Sequence, residues 1–276
     1  MLYLFSLKGC DFLINILLNG YRGKMGKAVI NHINKCSSDL NILYKIDKDN
    51  VTLYDDLLIK PDVIIDFSTP CSTFVALEYA VENLVPIVIA TTGFNSMEEN
   101  KIKECSEAIP IFKSSNMSYG ISIFSNLAAM LAEKLDNVDI EIVEKHHRNK
   151  ADAPSGTALM IADKINKKTN NKYTYVYNRI AQPRNTYNEI GFSSIRGGNL
   201  VGEHTVLYLG ENETLKITHT ARSRNIYVEG ALHAAKFIIT KKNGLYSMED
   251  LVWLRQKTDN ELPVFCVYFV AVSSTG

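Results

Sequence analysis

Residues 14–33 read INILLNGYRGKMGKAVINHI. The first seven form a short apolar run closed by Asn19-Gly20, and the remainder spaces its apolar positions as a helix does. The same alternation recurs downstream. NILYKID (41–47), PDVIIDFSTP (61–70), VPIVIATTGF (85–94) and IPIFKSSN (109–116) are strand-like, while TFVALEYAVEN (73–83) and SMEENKIKECSEA (96–108) are helix-like. These strands are apolar on both faces, so the order predicts a parallel sheet covered by helices on both sides.

After about residue 117 the texture changes. One helix, SIFSNLAAMLAEKL (122–135), precedes five alternating segments: VDIEIVEKHH (138–147), TYVYNRI (174–180), NEIGFSSIRGG (188–198), EHTVLYLG (203–210) and TLKITHTA (214–221). Such segments predict a mostly antiparallel sheet in a second, α+β domain. A helix returns near 225 with VEGALHAAKFIITK, and the chain runs on through GLYSMEDLVWL. We read 13–117 with 225–256 as one domain and 118–224 as another. Residues 1–12 and 257–276 are extensions; the second holds the apolar ELPVFCVYFVAVSSTG, an extra strand or a tail foreign to the fold.

The chain has 276 residues, 46% hydrophobic and 22% charged, with formal net charge +0. That balance favours neither nucleic acid nor a membrane surface as partner. The apolar N-terminus is broken by Lys8 and Asp11, too soon for a bilayer span. Cys10, Cys36, Cys71, Cys105 and Cys266 form no CxxC pair, which fits reduced thiols and a cytoplasmic location.

Glycines at 20, 23 and 26 depart from G-x-G-x-x-G, with Arg22 where the second glycine belongs. The turn still lies between a strand and a helix, where backbone N–H groups can meet a dinucleotide pyrophosphate; a plain glycine-rich turn is the alternative. Asp47, at the end of the second strand, is placed to accept hydrogen bonds from an adenosine ribose, and Lys48 could meet a 2′-phosphate. A surface Asp-Lys turn explains the same pair. Thr91, Thr92 and Gly93 follow another strand, at the edge where α/β sheets bind ligands or simply turn.

The run VEKHHRNKADAPSGTALMIADKI (143–165) gathers two imidazoles and several cations ahead of a helix. Neighbours in a strand point to opposite faces, so one of His146 and His147 leads any chemistry at a given point. Adjacent histidines do not converge readily on one tetrahedral ion, even with Glu144 or Asp152 added, so no metal is expected. Pro154 bars a helix upstream, and Ser155-Gly156-Thr157 offers hydroxyls and helix-start amides to an anion. With Lys150 they make a cradle for a small carboxylate; a solvated polar face with ordinary capping is the plainer reading.

The motifs GYRGKMG, IDFSTP, ATTGF, SSNMSYG, EIVEKHHRNKADAPSGTA and GGNLVGEHTV, in this order, resemble the 4-hydroxy-tetrahydrodipicolinate reductase (dihydrodipicolinate reductase) family. The resemblance covers roughly residues 13–254, and the HHRxKxDAPSGTA run is its most specific part. It implies a Rossmann-like nucleotide domain, a substrate domain and a homotetramer built through the substrate-domain sheets. It implies NADH or NADPH as cofactor, a small dicarboxylic acid as substrate and a step of L-lysine biosynthesis by the diaminopimelate route. Gly20, Tyr21, Arg22, Gly23, Lys24 and Met25 then match the pyrophosphate turn, and Asp47 the ribose acid. Ala90, Thr91 and Thr92 match a contact to the nicotinamide half, and Ser114, Ser115, Asn116 and Met117 the loop covering it. His146 falls on the proton donor and Lys150 on its catalytic partner, also on the substrate side; His147, Ser155, Gly156 and Thr157 fall on carboxylate contacts. Thr69 stands where several members carry arginine, and the segment between Asp47 and Pro61 is shorter than in the longer members.

The implied chemistry is loss of water to give a conjugated imine, hydride addition to the ring and one proton from the protein. Two rivals are a semialdehyde dehydrogenase and a nucleotide sensor without turnover. The first needs a nucleophilic cysteine, and no cysteine here has a suggestive context; the second is disfavoured by the intact His146/Lys150 pair.

Overall fold

The structure is a computed structural model that describes residues 13–181, 183–184 and 187–252. The two extensions read from the sequence, and the last residues of the first domain, lie outside the described residues. In chain order the elements are β1 (Ile14–Asn19), α1 (Lys24–Cys36), β2 (Leu40–Ile46), β3 (Val63–Asp66), α2 (Pro70–Glu82), β4 (Ile87–Ile89), α3 (Ser96–Cys105) and β5 (Pro110–Lys113). There follow α4 (Tyr119–Lys134), β6 (Asp139–His146), α5 (Gly156–Lys168), β7 (Thr174–Tyr177), β8 (Glu189–Arg196), β9 (Gly202–Leu209), β10 (Thr214–Ala221), α6 (Asn225–Ile238) and β11 (Gly244–Tyr246).

The first sheet is six-stranded and parallel throughout, in the order β11-β5-β4-β3-β1-β2. Its two-sided burial follows from the alternation of side chains along each strand. Ile16, Leu18, Val63, Ile65 and Val88 pack toward α1 and α6, with Val29, Ile33, Val228 and Ala235. Leu17, Ile64, Ile87 and Ile89 face the other way, onto Ala76, Leu77 and Ala80 of α2 and Ile102 of α3. This is the doubly wound, Rossmann-like arrangement. The sixth strand, β11, was not assigned in the sequence; it lies at the edge beside β5, a position only its partner reveals. Pro70, read as closing a strand, instead opens α2, where its missing N–H costs nothing.

The second sheet has the order β10-β9-β6-β8-β7. Here the expectation of a mostly antiparallel sheet is corrected. The β10–β9 and β6–β9 pairs are antiparallel, but β6–β8 and β7–β8 are parallel, so the sheet is mixed. The connection from β6 crosses through α5 and returns at the sheet edge as β7, and β8 then enters between β7 and β6, parallel to both. One face carries Ile140, Ile142, Ile190, Phe192, Val206 and Tyr208 and is sealed by α4 and α5.

The first sheet reverses its winding at β1 and β3, and there the glycine turn packs directly on neighbouring backbone. Gly20 has φ +81°, and a Cβ on it would lie 2.4 Å from the Phe67 carbonyl oxygen. A Cβ on Gly26 would lie 2.3 Å from the Gly20 carbonyl oxygen and 2.5 Å from the Tyr21 Cα. Both neighbours are backbone, so the first turn of α1 can seat against the strand end only without side chains. Gly26→Ala is expected to lower the unfolding free energy by about 1–3 kcal/mol, the usual cost of overpacking, seen as a lower urea midpoint at unchanged slope. An unchanged midpoint would mean that the turn gives way freely.

Candidate active site

At the C-terminal edge of the first sheet, Gly20 is buried, Tyr21 and Met25 are half-buried, and Arg22, Gly23 and Lys24 are exposed around the start of α1. Asp47 follows β2, and its carboxylate accepts from the Arg22 amide (3.0 Å) and the Lys48 amide (2.9 Å). These bonds fix the carboxylate beside the glycine turn. Arg22 pairs with Asp49, both side chains being more than half exposed.

Beneath this edge lies a group that the sequence reading did not single out. The Asp66 carboxylate is fully buried at the end of β3. It accepts from Asn19 Nδ2 (2.8 Å), Thr73 Oγ1 (2.6 Å), Thr91 Oγ1 (2.8 Å) and the Ser68 hydroxyl. Burial raises its pKa, against the pull of these four donors. The Thr91 hydroxyl is thereby committed: it donates to Asp66 and accepts from the Ser68 amide at 2.8 Å. Ala90 is half-buried and Thr92 exposed at the same edge.

The loop after β5 reaches the second sheet. Ser114 Oγ donates to the Asn116 carbonyl (2.8 Å), Ser115 is exposed, and Met117 is only 3% exposed, its side chain in the first core. Asn116 Nδ2 donates to Thr157 Oγ1 across 3.1 Å. The nicotinamide-loop candidate and the carboxylate-cradle candidate are therefore in contact.

Thr157 belongs to the first turn of α5. Ser155 caps that helix, its hydroxyl accepting from the Ala158 amide (3.2 Å) and sharing a hydrogen bond with His204 Nε2 (3.1 Å). The Ser155 side chain is thus turned inward, leaving its backbone for an anion, while Gly156 is exposed with no atom within 4 Å of a Cβ position. Lys150 Nζ pairs with Asp152 at 2.8 Å, and this ammonium holds the Asp152 carboxyl below its usual range.

Alternation along β6 puts Ile140, Ile142, Glu144 and His146 on the helix-covered face; His147, just past the strand, is half-buried. His146 Nδ1 lies 3.0 Å from the Val201 carbonyl, which accepts only from an N–H. Its Nε2 lies 3.1 Å from Glu144 Oε2, yet the two are not aligned as a hydrogen bond, and neither atom has another partner. Arg196 donates to the other Glu144 oxygen (2.6 Å) and to the Asp152 carbonyl (2.6 Å). Burial is the largest influence and would raise the Glu144 pKa, but hydrogen bonds from Arg196 and Ser194 and the nearby positive charge together keep the group below the usual range. Burial pushes the His146 imidazole down, opposed by Glu144 and the Val201 carbonyl.

Glu144, His146 and His204 bring possible ligand atoms within 4.8 Å of one another. The third imidazole, from β9, was missed in the sequence because β6–β9 pairing sets it opposite Glu144. Arg196 on Glu144, Lys150 near both imidazoles and Ser155 on His204 describe a hydrogen-bonded charge network, and we read these groups as such.

Comparison with known proteins gives two family matches: "Dihydrodipicolinate reductase, N-terminus" over residues 14–117 and "Dihydrodipicolinate reductase, C-terminus" over 120–252. The chain is 45% identical over 248 residues to the 4-hydroxy-tetrahydrodipicolinate reductase of Caldanaerobacter subterraneus subsp. tengcongensis, covering 87% of this chain and 98% of the relative. It is 41% identical over 246 residues to that of Clostridium tetani, covering 86% and 96%. In fold it matches a dipicolinate-bound dihydrodipicolinate reductase from Paenisporosarcina sp. TG-14, with TM-score 0.71 and 22% identity, over 86% of this chain and 98% of that one.

His204 supplies a stability test. Burial first, then the neighbouring His146, depresses its pKa from 6.5 to about 4. Between those values the unfolded chain binds the proton that the folded chain refuses, so stability falls as pH drops from 6.5 toward 4. The loss reaches roughly 3 kcal/mol. His204→Gln is expected to flatten this part of the urea-unfolding profile; a slope equal to that of the parent chain would remove His204 from the effect.

Proposed function

The chain belongs to the dihydrodipicolinate reductase family, and from that premise we propose how its own residues reduce 4-hydroxy-tetrahydrodipicolinate to tetrahydrodipicolinate. The reaction belongs to L-lysine biosynthesis by the diaminopimelate pathway: the cyclic dicarboxylate loses water and takes up a hydride and a proton. The observation that carries the residue assignment is the Asn116–Thr157 hydrogen bond (3.1 Å). It joins the strand-end loop of the first sheet to the helix start beside Lys150 and His146.

A nicotinamide cofactor fits the first edge, because the glycine turn, packed on the chain's own backbone at Gly20 and Gly26, sets the start of α1 at the C-terminal edge of the parallel sheet. Gly20, Tyr21, Arg22, Gly23, Lys24 and Met25 would hold the pyrophosphate, with helix-start amides facing the negative charge. Asp47, oriented by two amides, would take the adenosine ribose, and Lys48 a 2′-phosphate. Ala90, Thr92 and the 114–117 loop would bound the nicotinamide, with Thr91 and Met117 supporting them from within. When bound in its reduced form, the cofactor supplies the hydride.

The substrate carboxylates meet Lys150, His147 and the α5 start at Ser155, Gly156 and Thr157. Lys150 is held by Asp152, and a carboxylate arriving beside it can share or replace that partner. His146 supplies the proton from Nε2, since Nδ1 is committed to Val201. A proton delivered there quenches the negative charge that develops on the ring, and Lys150 stabilises that charge as it forms. On this reading residues 13–117 with 225–256 hold the nucleotide, and 118–224 hold the substrate. The helix-free face of the second sheet, with Ile195 about half exposed, joins the copies of a homotetramer. Light scattering at the mass of one chain would exclude that assembly.

His146→Gln is expected to lower turnover by about 10²-fold or more, the scale of general acid catalysis, with cofactor affinity nearly unchanged. Turnover equal to the parent enzyme would remove His146 from its role. Asp47→Asn should move the ratio of kcat/KM for NADPH over NADH upward by about tenfold, as one charge-assisted ribose contact is weakened and one repulsion of a 2′-phosphate is relieved. A ratio that stays fixed would place the adenosine elsewhere.

A further inference from the structure

Glu144 has no part in the roles assigned above, yet it is the costliest residue of the cluster to bury. Its side chain is 0% exposed, on the core face of β6 two residues before His146. A carboxylate there must be compensated, and the β6–β8 register provides the means: Arg196 stands opposite His146 and reaches back to Glu144. Because Arg196 also holds the Asp152 carbonyl, both it and the carboxylate have fixed positions.

What remains is one carboxylate oxygen and one imidazole nitrogen, 3.1 Å apart, each buried and each without a hydrogen-bond partner. Had Glu144 been aligned with Nε2, it would hold the proton against transfer. Placed off-line, it attracts the imidazolium without engaging its N–H. Several charged or titratable groups face the ring: Glu144 from its own strand, Arg196 from β8, His204 from β9 and Lys150 from the following loop. Among these, Glu144 is the anion; Arg196 and Lys150 both oppose a charged ring. Gly202 closes the slot, since a Cβ there would lie 2.8 Å from His146 Cε1.

We propose that Glu144, clamped by Arg196, is a positioning residue that keeps the transferable proton on His146 Nε2 without tying that N–H into a hydrogen bond. The inference rests on the role of His146 given above. It requires that the proton donor lose its proton at lower pH when the carboxylate is neutralised in place.

The test is the pH dependence of kcat in the full-length enzyme with saturating reduced cofactor. Glu144→Gln should move the alkaline limb about one pH unit lower and cut kcat near neutrality about tenfold, with KM for the dicarboxylate within about twofold. Glu144→Asp, which keeps the charge, should keep the limb near its original pH. Gly202→Ala is the control: it displaces the ring without removing charge, so it should lower kcat and leave the limb in place. A Glu144→Gln enzyme whose kcat falls with an unmoved limb would overturn the proposal in favour of a merely structural carboxylate. If that variant does not fold, ¹⁵N-histidine NMR of the parent enzyme decides: His146 should keep its Nδ1 proton while Nε2 titrates, and the reverse overturns the proposal. Loss of turnover in His146→Gln with no shift in Glu144→Gln defeats this inference alone; parent-like turnover in His146→Gln defeats the reading beneath it.

Discussion

The second sheet is organised around a carboxylate that cannot reach water. Glu144 sits in the sheet as though it were another isoleucine of the Ile140–Ile142 series, and Arg196 is what makes that tolerable. A buried pair of this kind contributes little net stability, because desolvation consumes most of the attraction; its value lies in placement. Removing either partner would leave a bare charge, so strands β6 and β8 are held in one register. That register also sets Arg196 against the Asp152 carbonyl, and so anchors the loop that carries Lys150 to the sheet.

The first sheet solves the same problem differently. Asp66 is as buried as Glu144, yet it meets an amide and three hydroxyls and no cation. Consequently burial raises the pKa of one carboxyl while Arg196 holds the other low. The Asp66 network binds the ends of β1, β3 and β4 and the first turn of α2 into one floor without a buried charge pair. On the proposed assignment, phosphates would meet surface groups and helix-start amides, whereas the substrate would meet groups ordered around a buried ion pair.

Much of this was legible in the chain. The first five strands announced themselves because strands buried on both faces are nearly all apolar, and the five segments of the second sheet because one-sided burial alternates. The parity argument on His146 and His147 held for the same reason: one joins the core face and the other does not. Sequence order, by contrast, carries no information on which strands pair. The parallel β6–β8 contact, the edge strand β11, and the approach of His204 and of Arg196 to Glu144 come from residues about 50 or more positions apart. Gly26 was noted for its spacing alone; its necessity comes from the Gly20 carbonyl behind it. Thr91, Ser155 and Met117 were matched to ligand contacts, and each commits its side chain to the protein. A motif marks where a residue works and says little about which of its atoms does the work.

The loop at 114–117 shows why the two sheets must be treated as one machine. Met117 is fixed in the first core, and Gly230 of α6 leaves room for its carbonyl: a Cβ there would lie 1.6 Å from that oxygen. One residue earlier, Asn116 binds Thr157 at the start of α5. The loop is therefore rigid at one end and joined to the second sheet by a neutral hydrogen bond, an interaction contributing about 1 kcal/mol. The Lys164–Glu249 pair, which also runs between the two halves, is partly exposed and contributes on the same small scale. Contacts that shape each site are buried and mutually dependent, whereas these polar contacts between the sites are single and weak. On the proposed function that hierarchy suits a reductase that brings a ring and a nicotinamide together and then releases both: positions within each half are fixed by ion pairs and cores, and the polar contacts joining the halves are ones a bound dicarboxylate could exchange.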